Sequence, residues 1–310
     1  MSRHMTGASR VVVDVDGIPV SALLREVRHP RAVVLALHGG AALSGYFDYP
    51  DRPRLSLLRT GEALGFTVIA IDRPGYGSSA PHADEFTSAE RRVDVAYGAV
   101  ERLLAARPRG AGVFVWAHSI GSELGVRMAA DERRGPDLLG LELAGTGRRH
   151  HDDAAGILGD WRHRSPNSGV RDLLWQPSRL YADDVVGGAR ISSRSPAYEG
   201  VVARSWIDTF PQLAPLIRVP VHYTLGEHER VWISGPSALA DIASPFSASP
   251  RVAVDEQVGG GHNLSIGLTS LAYHLKVLSF VEECVLAREE AETAAAAAAE
   301  VAERQQGRAS

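Results

Sequence analysis

Apolar and polar residues alternate over 10–15 (RVVVDV) and 20–27 (VSALLREV), and Asp16-Gly17 between them favours a tight two-residue turn. An antiparallel hairpin is therefore expected at the start of the chain. Beyond it, near-continuous apolar runs recur at 32–37 (AVVLAL), 67–71 (TVIAI), 112–116 (GVFVW), 138–143 (LLGLEL), 219–225 (VPVHYTL) and 251–254 (RVAV). Runs of this kind suit strands covered on both faces. Helical spacing lies between them at 53–64, 88–106 with Ser88 as a cap, 120–131, 234–242 and 266–286. Strand–helix alternation predicts an α/β fold: a mostly parallel sheet of the eight-stranded type with helices on both faces and right-handed crossovers.

Two stretches break the rhythm. About 75 residues, 144–218, separate two expected strands, far more than an ordinary connection needs. They hold Trp161, Trp175, Tyr181, Tyr198, Trp206 and Phe210, with turn signals at Ser165-Pro166-Asn167 and Gly187-Gly188, and are expected to form a helical cap over the strand ends. From 287 to 310 the chain is rich in Ala and Glu, with strong helix propensity but no apolar face wide enough to bury. A terminal helix or a solvated, disordered tail is expected there, after a single domain over 1–286.

Composition narrows the function. The net charge of −4 leaves no electrostatic footprint for nucleic acid or an anionic membrane, and Lys276 is the only lysine. Cys284 is the only cysteine, which excludes an internal disulfide and a cysteine-based zinc cage. The first residues lack the apolar core of a secretory signal, and no run of eighteen apolar residues occurs. A soluble, cytoplasmic protein is expected. His150, His151 and His163 have no metal-site spacing and read as surface or cap residues; no metal and no cofactor is expected.

The candidate chemistry starts at Ala117-His118-Ser119-Ile120-Gly121, which follows the 112–116 run and leads into a helical stretch. A serine on a sharp strand-to-helix turn exposes its hydroxyl and aims neighbouring amides at a substrate. The five-residue pattern alone has roughly half a chance occurrence in a chain this long. Context must carry it. Downstream, Gly226-Glu227-His228-Glu229 follows one expected strand, and His262, after three glycines, follows the last. A base and an acid in the chain order serine, carboxylate, histidine complete the set that activates a serine. Upstream, His38-Gly39-Gly40 follows the third expected strand and Asp72-Arg73-Pro74-Gly75-Tyr76-Gly77-Ser78-Ser79 follows the fourth.

With these four signatures in order, the chain resembles the α/β-hydrolase fold family over residues about 10–286. The resemblance implies an α/β-hydrolase fold with a helical cap, Ser119 as nucleophile, His262 as base and Glu229 as acid. Asp is commoner than Glu at that last position, Glu227 points the same way on extended backbone and stays open as the acid, and Ala117 stands where Gly is commoner. Backbone amides of Ile120 and Gly40, with Gly39 as the fallback, are implied as oxyanion donors. His38 and His118 read as structural, and His228 as a base only if its loop folds back over the serine. The implied activity is hydrolysis of an ester, thioester or lactone through an acyl-serine, on a small-molecule acyl substrate. Tyr46-Phe47 and the aromatic insert suggest an apolar pocket. Acyl transfer or acyl elimination at the same triad, and a ligand-binding receptor with a silent triad, stay open.

Overall fold

The hairpin forms as the alternation predicts: β1 (Ser9–Val15) pairs antiparallel with β2 (Ile18–Arg25) across Asp16 and Gly17, both with positive φ. A computed structural model describes residues 7–159 and 169–309 of the chain. Each apolar run becomes a strand: β3 (Val33–Leu37), β4 (Thr67–Ile71), β5 (Val113–His118), β6 (Gly140–Ala144), β7 (Val221–Gly226) and β8 (Val252–Gln257). They form one eight-stranded sheet in the order β1-β2-β4-β3-β5-β6-β7-β8. The β1–β2 and β2–β4 pairings are antiparallel; from β4 to β8 along the sheet every pairing is parallel.

Helices cover both faces. Leu35, Leu37, Val115, Ala117, Leu141 and Leu143 pack with α2 (Ala89–Leu104) and α3 (Gly121–Ala130), while Val34, Ala36, Phe114 and Trp116 pack with α1 (Leu57–Ala63) and α8 (Ser270–Ala309). The two-residue period of the strands is what splits one apolar run between two layers. Ser88 caps α2 by accepting from the Arg91 amide, and Ser56 caps α1 by accepting from Arg59. The expected 53–64 helix is thus shorter: Pro53–Leu55 is a separate 3₁₀ turn, because Ser56 is extended and starts the helix proper.

Between β6 and β7 lie α4 (Asp152–Gly159), the short α5 (Val170–Leu173) and α6 (Tyr198–Leu213). Tyr198, Val202, Trp206 and Phe210 form the buried stripe of α6, which rests on the same apolar layer as α3. Trp161, His163 and the expected Ser165-Pro166-Asn167 turn fall outside the described residues. After β7 comes α7 (Pro236–Ala243). The last helix starts at Ser270 rather than 266, after a 3₁₀ turn at Leu264–Ile266, and continues well beyond 286. Its buried positions end at Val285, and every described side chain past Arg288 is exposed. None of the described helices is long and apolar enough to cross a membrane.

Candidate active site

Parallel strands deliver their following loops to one edge of the sheet, so the segments after β3, β5, β6, β7 and β8 meet there. Ser119 follows β5 directly, with a φ of 53° that L-residues rarely adopt. Its amide donates to the Ala144 carbonyl at 2.7 Å and its carbonyl accepts from the Ser122 amide at 2.8 Å, which pins the turn on both sides. The strain is tolerated because the partners over-determine the conformation. Close packing of α3 against the sheet depends on Gly121: a Cβ there would lie 2.4 Å from the His38 carbonyl oxygen.

His262 lies in the loop after β8, its Nε2 3.0 Å from Ser119 Oγ. Its Nδ1 is 2.9 Å from Glu229 Oε2 and 3.1 Å from Oε1. A carboxylate only accepts, so Nδ1 carries the proton and Nε2 presents a lone pair to the serine hydroxyl. The three glycines before His262 have local causes: Gly259 has a φ of 66°, a Cβ on Gly260 would lie 2.9 Å from the Gln257 carbonyl oxygen, and one on Gly261 would lie 2.6 Å from the Tyr181 hydroxyl. A Cβ on Gly226, at the end of β7, would come within 2.6 Å of the carbonyls of both Gly260 and Gly261. The bare backbone at Gly226 lets the two loops touch and brings His262 beside Glu229.

Glu229 and Glu227 separate cleanly. The chain turns after β7, the Glu229 amide donating to the Gly226 carbonyl at 3.1 Å, so strand alternation no longer governs these positions. Glu229 is buried against His262 and also accepts from the Arg230 and Val231 amides at 3.1 and 2.9 Å. Burial pushes its carboxyl up, but His262 and the two amides outweigh burial, and the pKa ends below its ordinary value. Glu227 is 43% exposed and accepts from the Gly259 amide at 2.8 Å, bracing the glycine loop. His228 Nε2 lies 3.9 Å from Glu227 on that outer side.

The loop after β3 brings Gly40 beside Ile120: a Cβ on Gly40 would lie 3.2 Å from Ile120 Cγ2. Among the described residues neither the Gly40 nor the Ile120 amide has a hydrogen-bond partner within the protein. Ile120 precedes the first turn of α3, where free amides and the helix dipole favour negative charge. Gly39 is closer to the serine, its Cβ position 3.2 Å from Ser119 Cβ.

Both neighbouring imidazoles are buried. His38 accepts from the Arg73 amide at 3.0 Å through Nε2, so its Nδ1 carries the proton and donates to the Gly39 carbonyl at 2.7 Å. Burial, then the Arg73 charge, holds its pKa well below the usual histidine value. His118 stacks on Tyr46 with ring centroids 4.5 Å apart and meets His262 edge-on at 5.2 Å; burial first, then His262, lowers its pKa well below normal. His150 stacks on Trp232 and His151 accepts from the Asp153 amide at 3.2 Å, both away from the serine's partners.

Tyr46 and Phe47 are not the pocket lining expected of them. Both are buried in the layer shared with α8, because the 3₁₀ turn at Ser44–Phe47 points them back under the sheet edge. Sequence reasoning also missed Arg73 and Glu199, a buried ion pair with Arg73 Nη2 2.5 Å from Glu199 Oε1 beneath the loop after β3. A signal for Glu199 existed: with Val202, Trp206 and Phe210 it lies at i, i+3, i+7 and i+11, so an acid sits in register with an apolar stripe.

The sequence profile of the alpha/beta hydrolase family matches residues 33–269. No curated protein matches the chain by sequence. Among solved structures, a soluble variant of monoglyceride lipase from Saccharomyces cerevisiae aligns with a TM-score of 0.67 at 13% identity, covering 92% of this chain and 97% of its own. A carboxyl esterase from Bacillus coagulans aligns at 0.64 and 17% identity, covering 91% of this chain and 100% of its own. A bacterial membrane phospholipase A aligns at 0.65 and 16%, covering 90% and 87%. At such identities the likeness is one of fold.

Proposed function

The chain belongs to the alpha/beta hydrolase family, and from that premise we propose that it is a serine hydrolase cleaving a carboxylic ester, thioester or lactone through an acyl-serine. The observation that carries this reading is the unbroken relay from Ser119 Oγ to His262 Nε2 at 3.0 Å and from His262 Nδ1 to Glu229 at 2.9 Å.

In the first half-reaction Ser119 Oγ attacks the substrate carbonyl carbon as its proton passes to His262 Nε2. Glu229, held ionised by His262 and the two amides, stabilises the imidazolium and keeps the ring oriented. The amides of Ile120 and Gly40 receive the oxyanion. Collapse of the tetrahedral species transfers the His262 proton to the leaving group, and the C–O or C–S bond breaks. Water then repeats the sequence on the acyl-serine, His262 taking its proton and returning it to Ser119. The insert between β6 and β7 serves as the cap that covers the bound acyl group, its Tyr181 hydroxyl accepting from the Asn263 amide next to the base at 3.1 Å.

Steady-state assays on a panel of aryl esters, thioesters and lactones test the proposal, with an added alcohol or amine in parallel. Turnover that disappears in Ser119→Ala, with the free acid as product in every acceptor, is expected. Products joined to the alcohol or amine would make it an acyltransferase. Equal rates in wild type and Ser119→Ala would overturn the reading.

A further inference from the structure

The Gly39 carbonyl and the Gly40 amide belong to one trans peptide unit, so they point in opposite directions. Whatever grips that carbonyl aims that N–H. Two donors grip it: Arg73 Nη2 at 3.1 Å and His38 Nδ1 at 2.7 Å. The Arg73 amide in turn holds His38 Nε2 at 3.0 Å, so both grips originate in the loop after β4. The next residue, Ala41, has a φ of 54°, a strained conformation for alanine. It is held from outside as well, its amide donating to the Tyr76 hydroxyl at 3.0 Å and its carbonyl accepting from the Ser193 amide at 2.9 Å.

Both lines of support converge on Glu199 of α6. Its Oε1 accepts from Arg73 Nη2 at 2.5 Å, and its Oε2 accepts from the Tyr76 hydroxyl at 2.7 Å. The pair is buried, with 3% and 6% of the two side chains exposed. Glu199 Oε2 also lies 3.2 Å from the position a Cβ on Gly40 would take. A carboxylate this close to an oxyanion would repel it were its charge not balanced by Arg73.

We infer that Arg73 and Glu199 are positioning residues: the guanidinium turns the Gly40 N–H toward the substrate oxyanion, and Glu199, delivered by α6, holds the guanidinium in place while cancelling its charge. The inference rests on the serine-hydrolase reading above. It makes the oxyanion donor depend on the insert, because α6 must be seated for the loop after β3 to be held. It also predicts an asymmetry. Removing Arg73 leaves an unbalanced carboxylate beside the oxyanion and takes away one of the two donors on the Gly39 carbonyl, leaving only His38 Nδ1; neutralising Glu199 loosens the loop without adding a repulsive charge.

The test is kcat and KM on one aryl ester for Glu199→Gln, Arg73→Gln and the double variant, with thermal midpoints measured alongside and fluorophosphonate labelling of the wild type. Glu199→Gln is expected to lower kcat on the order of tenfold and Arg73→Gln about a hundredfold, with KM within about twofold in both. In the double variant, kcat should lie above that of Arg73→Gln, because the repulsive charge is gone. A double variant at or below Arg73→Gln, or losses confined to KM, overturns the inference. If Arg73→Gln does not fold, Tyr76→Phe carries the test, since it removes the Ala41 amide's acceptor and a donor to Glu199; kcat unchanged there would contradict the inference. Wild type that labels at Ser119 while the variants keep full kcat sinks the positioning role alone. Wild type that does not label sinks the serine-hydrolase reading and this inference with it.

Discussion

Gly125 of α3 presents bare backbone to the methyl group of Ala117: a Cβ on Gly125 would lie 2.9 Å from it. The small residue missing from the strand end is supplied by the helix that faces it. Gly125→Ala should therefore destabilise the fold by about 1–3 kcal/mol through overpacking, even though alanine gains about 1 kcal/mol in helix propensity. Adding Ala117→Gly should recover part of the loss. Thermal or urea melts of the two single variants and the double check it, and additive losses would contradict the contact.

The two glutamates after β7 are expected to divide bracing from catalysis. Glu229→Gln should lower kcat on the order of 10²–10⁴-fold, since the amide nitrogen or oxygen it offers His262 no longer stabilises an imidazolium. Glu227→Gln keeps an acceptor for the Gly259 amide and should leave kcat within about twofold. Parallel kinetics on purified variants decide, and a larger loss at Glu227 would move the acid to that position.

Acid should weaken the fold partly through Glu229. Its native pKa lies below its ordinary value of about 4.3, so its stabilisation is complete above that value and lost as pH falls through the lower native one. Over that window the unfolded chain binds more protons than the native one, and stability rises with pH. The decline in thermal midpoint below about pH 4.3 should be shallower in Glu229→Gln than in wild type. Identical slopes would mean that its carboxyl is not held ionised by His262.

Tyr181 reaches from the insert to the loop that carries His262. Tyr181→Phe removes the acceptor of the Asn263 amide, a buried group, and should cost about 1–3 kcal/mol in stability. If the hydroxyl also steadies His262, kcat falls several-fold while KM changes little. A melt and a kinetic series on one ester separate the two effects.

How much of this was legible depends on the range over which each feature is encoded. The strands were, because a doubly covered strand writes itself as an apolar run, as in VVLAL of β3 and VFVWAH of β5. The start of α2 followed from Ser88, whose cap is local; the start of α1 was placed at 53, ahead of the Ser56 cap. Ser119, Glu229 and His262 were singled out by short motifs at strand ends, and the parallel sheet brings those ends together. The resemblance favoured Glu229 over Glu227, while strand alternation did not separate them; the chain bends after Gly226, so alternation does not govern either position. Tyr46 and Phe47 read as pocket residues because aromatic character says nothing about which side of a 3₁₀ turn faces the sheet. Glu199 could be read as buried from its register with the α6 stripe, but its partner Arg73 lies 126 residues away and no pattern along the chain names it.

The central claim is that Ser119 is an activated nucleophile. Intact-mass spectrometry after brief exposure to a fluorophosphonate tests it most directly, with wild type, Ser119→Ala and His262→Ala side by side. The expected result is one added phosphonyl group on wild type, mapped to Ser119 by peptide digestion, none on Ser119→Ala, and labelling slowed on the order of 10³-fold or more in His262→Ala. An unlabelled wild type, or equal labelling of wild type and Ser119→Ala, would contradict it.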